Sequence, residues 1–122
     1  MEQQEQEASW VVTHREAIVP VVLRAVLGRR HAVSGAEVWK VDLADQVRHL
    51  LAGLAASLFV DDDAVLAECR DWVGERLVER GAPDEVLPAL WHALGVPLRG
   101  QVLAGVLLTR TAPGYAGAHA SA

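Results

Sequence analysis

The residues able to do chemistry in this chain are few, and most stand alone. One cysteine, Cys69, is followed directly by Arg70, Asp71 and Trp72. A guanidinium grips carboxylates through charge-assisted hydrogen bonds. A carboxylate accepts hydrogen bonds from ring N–H groups, and an indole face stacks on a planar ligand. That is binding chemistry, with no bond to be broken. Arg70 favours the Cys69 thiolate, but no histidine lies near in sequence to act as its base. A cysteine on the apolar side of a helix more often behaves as a small hydrophobe.

The five histidines are His14, His31, His49, His92 and His119. None forms the His-x-x-x-His or Glu-x-x-His pair that sets two ligands on one helix face, so no metal site is expected. His92 lies in Leu90-Trp91-His92-Ala93-Leu94, and a helical histidine facing an apolar slot is what haem iron requires. The plainer reading makes it a polar residue on the outer side of an amphipathic helix. His49 reads as an exposed partner of Asp45. There is no nucleophile–base pair, glycine-rich phosphate loop or acid pair, so a non-enzymatic protein is expected.

Composition narrows the setting. The chain has 122 residues, enough for one core, with 52% hydrophobic residues and a net charge of −5. Its basic residues are dispersed, which argues against nucleic acid as a partner. No apolar run is long enough to span a bilayer. The opening Met1-Glu2-Gln3-Gln4-Glu5-Gln6-Glu7 is acidic and polar, unlike a signal peptide, and a lone cysteine excludes an internal disulfide. These features lead to the expectation of a cytoplasmic protein without a membrane partner.

The elements that must position these residues read as helices throughout. Residues 1–12 are expected to form a polar tail, 13–110 a helical domain of four to five helices, and 111–122 a flexible tail rich in small residues. Thr13-His14-Arg15-Glu16 fits a capping box that would start a first helix, with Pro20 kinking or delaying it and Gly28 ending it. Ser34-Gly35-Ala36-Glu37 fits a second box, opening a long helix to about Phe59 with the stripe Leu43, Val47, Leu50, Leu51, Leu54 and Leu58. Asp61-Asp62-Asp63 places negative charge at the start of a third helix, whose expected buried side includes Leu66, Cys69, Trp72, Val73 and Leu77. Gly81 and Pro83 close it, a fourth helix carries Leu90 and Trp91, and a last one surrounds Val102 to Leu108. The uneven helix lengths favour a globin-like crossing arrangement over an even bundle.

A family resemblance attaches to particular stretches. Trp72 to Glu85, with Val73-Gly74 and Gly81-Ala82-Pro83-Asp84-Glu85, resembles a stretch of globin-coupled sensors and protoglobins in which the haem-ligating histidine lies one turn before the arginine-glycine that closes the helix. Leu77 stands where that histidine would fall, so the resemblance implies the fold without the axial iron ligand. His14-Arg15-Glu16-Ala17-Ile18 is similar to the opening helix of RsbR-type stressosome N-terminal domains, which are haem-less globin-like sensors. Cys69-Arg70-Asp71 also resembles the bilin-gripping motif of phycobiliproteins. The spacer after the cysteine is missing, which rotates Cys69 by about 100° from that register and disfavours covalent attachment.

Together these imply a non-enzymatic globin-like sensor or ligand-binding regulatory domain. Its apolar slot would be lined by Leu51, Leu54, Trp72, Leu77 and Trp91, and its candidate site is Cys69, Arg70, Asp71, Trp72, Leu77, Trp91 and His92. A linear tetrapyrrole such as biliverdin suits that site better than haem. The alternative is a helical dimerisation or adaptor module with no ligand. A homodimer is expected, formed through the apolar stretch Val102 to Leu108, with a regulatory protein as a further possible partner.

Overall fold

Within residues 2–28 and 38–114, which the computed structural model describes, the chain folds into five α-helices and no strand. These are α1 (Glu2–Leu27), α2 (Leu43–Val60), α3 (Ala64–Glu79), α4 (Val86–Gly95) and α5 (Val102–Arg110), with a short 3-10 turn at Val38–Lys40 before α2. Helices α1 and α2 make the most extensive contact. Helix α3 packs on α2, α4 lies against α1, and α5 touches α1, α2 and α4.

The first helix corrects the expected tail over residues 1–12. It begins at Glu2, and Glu7, Ala8 and Val11 are buried. Val11 extends the stripe Ile18, Val22 and Val26 by whole turns, so this segment buries one face against the domain. Thr13 therefore lies inside the helix and starts nothing. Glu16 turns away from it and accepts from Arg48 of α2 at 3.0 and 3.2 Å. Pro20 sits within the helix at an exposed position, where water can serve the carbonyl deprived of a donor. Gly28 ends α1 as expected, its N–H reaching Arg24 O at 2.9 Å.

The expected continuous helix from Ser34 to Phe59 is also corrected, while the proposed cap at Ser34 lies outside the described residues. Val41 N–H closes on Val38 O at 3.0 Å, and α2 starts only after Asp42. Arg80, just past the end of α3, and Arg76 within it lie 3.6 and 3.9 Å from the Asp42 carboxylate, fixing the helix start against α3. From Leu43 onward the predicted stripe is observed: Leu43, Val47, Leu50, Leu51, Leu54 and Leu58 are all buried.

Turn chemistry sets the next boundaries. Asp61 adopts the left-handed conformation (φ 57°), and Asp62 N–H reaches back to Ser57 O at 3.1 Å, closing α2. Asp62 Oδ1 then accepts from Ala64 N–H at 3.0 Å at the start of α3. Gly81, at φ 82°, closes α3, and Ala82 N–H bonds Leu77 O at 2.9 Å. At the other end, Thr111 is buried and its hydroxyl donates to Leu107 O at 2.7 Å. The packed chain therefore extends past residue 110, while residues 115–122 of the expected tail lie outside the described residues.

Candidate functional site

The sequence-selected residues do not converge on one slot. Leu51, Leu54 and Leu77 are buried to within 4% of complete burial, and Trp91 is 6% exposed. They fill the space between α2, α3 and α4 as core. Trp72, expected inside, is 47% exposed. The cause is the narrowness of the α3 stripe: Leu66, Val73 and Leu77 fall two turns and then one turn apart on one face, and Trp72 is turned by about 100° from Val73. Its ring instead meets His49 of α2 at 4.6 Å, and the Arg76 guanidinium lies 5.8 Å from its centroid. His49 is exposed as expected, but Asp45 pairs with Arg48 at 3.0 Å.

Cys69 is half-buried against α2. A Cβ placed at Gly53 would stand 2.5 Å from Cys69 Sγ, so glycine at that point is what lets α2 and α3 approach. Burial, and then the neighbouring Glu68 charge, push the thiol above its ordinary value of 9.0. That opposes the thiolate an activated cysteine needs. His92 is exposed beside a surface hollow that also touches Pro88, Trp91 and Gly105.

Arg70 and Trp91 share a different duty. Arg70 donates from Nη1 to Thr111 O at 2.9 Å and pairs with Asp71 at 2.8 Å through Nη2. Trp91 Nε1 donates to Leu108 O at 2.8 Å. The last carbonyls of a helix have no partner of their own, and here both side chains serve those at the end of α5. The outer side of Arg70 and Asp71 borders a shallow depression with Gly74 and Leu87.

The opposite end of α5 holds the residue that sequence reasoning missed. Glu7, buried at 6% exposure, accepts from Ala104 N–H at 2.8 Å and Leu103 N–H at 3.1 Å. Gln3 donates to the same carboxylate at 3.2 Å. A carboxylate at a helix N-terminus meets both the orphaned donors and the positive end of the dipole. The only local signal was an acid placed one turn before Val11 in a segment that reads as solvated.

A second missed feature is a surface channel of about 510 Å³ between α1 and α2. Ala8, Val11 and Val12 line one wall, and Leu51, Ala52, Ala55 and Ala56 the other. Glu5 and Phe59 border it as well, as does Arg15. With Glu16 held by Arg48, the two helices run antiparallel, so Glu5 and Phe59 mark one end and Arg15 the other. Val12 is 57% and Phe59 65% exposed. By contrast, the stretch Val102 to Leu108 expected to lie open is largely covered: Ala104, Leu107 and Leu108 are buried, leaving Val102 and Val106 outside.

No group of three metal-ligating side chains occurs among the described residues, and no helix among them is long and apolar enough to cross a membrane. No protein-family model matches the chain, and no curated protein or solved structure shows significant similarity to it.

Proposed function

We propose that this chain is a non-enzymatic regulatory module of the haem-less, globin-type sensor kind, which works by protein contact at the channel between α1 and α2. The observation that carries the reading is that channel: a continuous apolar surface left open on the largest helix pair, with Val12 and Phe59 exposed along it. Exposed apolar surface of this kind marks an interaction site. The globin-type assignment draws support from the helix–Gly81–Pro83–helix turn, which has the closing geometry that the resemblance implies.

The tetrapyrrole form of the reading has less support. A propionate approaching Arg70 must compete with Asp71 and Thr111 O, both already bonded to it. The core leucines occupy the space where a pigment slot was expected. Native mass spectrometry after expression with haem and biliverdin supplied separates the two forms. The expected result is pigment-free protein, as single chains or as protein complexes. A stoichiometric biliverdin adduct, with a red-shifted band that weakens in Arg70→Ala and Asp71→Ala, would replace this reading with the pigment-binding one.

A further inference from the structure

The α1–α2 channel carries opposite charges at its two ends. Glu5 borders the end shared with Phe59, and Arg15, whose Nε lies 3.4 Å from Glu16 of its own helix, borders the other with 43% of its side chain exposed to a second carboxylate. Ten residues of helix separate positions 5 and 15, about 15 Å at 1.5 Å per residue. Between them the walls are small and mostly apolar, with Ala8, Ala52, Ala55 and Ala56 and one hydroxyl, that of Ser9. A surface that is negative at one end, positive at the other and apolar between is complementary to itself when turned through 180°. A closed twofold interface requires that property of a patch.

We propose that a second copy of this chain covers the channel, the α1–α2 pair of each packing against that of the other about a twofold axis. Glu5 of each chain then faces the partner's Arg15, and Phe59 lies over the alanine end of the opposite channel, near Ala52. Alanine walls let helices approach towards the close end of the usual separation of about 8–10 Å. Charges of both signs, spaced along an apolar strip, distinguish this partner from a lipid surface, which would favour one sign. The face is distinct from the α5 surface that the sequence suggested. The inference rests on the reading of the chain as a protein-contact module, and the two fail separately: a pigment adduct on an intact dimer would sink that reading, and a pigment-free monomer would sink this one.

Charge reversal on the full chain, read by sedimentation velocity, tests the geometry. Glu5→Arg alone, or Arg15→Glu alone, sets like charges together at both ends of the seam and weakens self-association by about tenfold or more. Mixing the two single variants in equal amounts restores opposite charges at both ends, so the mixture associates while neither variant does so alone. Because only folded chains recover on mixing, the result is independent of any loss of stability. Val12→Glu, an exposed position in the single chain, should yield a monomer with unchanged helical circular dichroism. Wild-type protein that stays monomeric at high micromolar concentration overturns the proposal. So does a dimer indifferent to both reversals, or a pair of single variants that fails to recover on mixing.

Discussion

Helices α2 and α5 are both apolar and both pack against α1, yet they are held by different physics. Helix α2 is secured by area: Leu43, Val47, Leu50, Leu51, Leu54 and Leu58 give it a buried stripe along its whole length. Helix α5 is nine residues long, buries Ala104, Leu107 and Leu108, and is fixed at its two ends by polar groups from elsewhere. Glu7 holds its first N–H groups, and Trp91 and Arg70 hold its last carbonyls. A helix this short is marginal by itself in water. Its position therefore depends on a few directed bonds, each costly to lose because removing one partner leaves a buried group unsatisfied. Non-directional burial tolerates small shifts, and end-capping by distant side chains does not.

The sharpest way to break the contrast is to remove one side chain from each helix's support. Leu54→Ala should cost about 2–5 kcal/mol and lower the whole unfolding transition, because the lost contacts sit between α2 and its neighbours. Chemical denaturation with hydrogen exchange checks this: protection should fall across all helices together. Glu7→Ala should cost less, about 1–3 kcal/mol, for the two N–H groups it orphans. Its exchange signature should be local, with α5 amides opening well before those of α2. Glu7→Gln, which keeps one acceptor oxygen, should recover part of the loss. If Glu7→Ala lowered protection uniformly, α5 would not be the separately held element described above.

The smallest effect belongs to the exposed pair joining α1 to α2. Arg48, through its hydrogen bonds and then its charge, holds the Glu16 carboxyl below its usual 4.5. A carboxyl lowered in the folded state contributes stability above its unfolded value, and loses it as pH falls through the lowered folded one. The melting temperature of Glu16→Gln should therefore fall less than that of wild type between neutral pH and about pH 3. Solvent around the pair, with 41% of the Arg48 and 61% of the Glu16 side chain exposed, keeps the difference small, and added salt should shrink it further.

How much of this could be read from the residues differs from helix to helix. The start of α3 at Asp61-Asp62-Asp63 and its closure at Gly81 and Pro83 were legible, because each rests on backbone preferences acting over a few residues. The buried stripe of α2 was legible from its period. Thr13 misled for the same reason: a capping box is a local pattern, and nothing local says that the helix already runs through it. The seven candidate site residues were chosen for their chemical types, and the fold distributed them among core packing, helix closure and surface.

The sequence by itself determined that the described chain is helical, where α3 starts and stops, and which stripe of α2 turns inward. Only the tertiary structure decided that residues 2–12 belong to α1, that Trp72 faces outward over His49, and that Glu7 caps α5. The physical reason is distance along the chain. A turn draws its energy from residues beside it and leaves a local signature, whereas the bonds from Glu7 to Leu103 and Ala104 join positions 96 and 97 residues apart. Such bonds exist only once α1 and α5 are already in place.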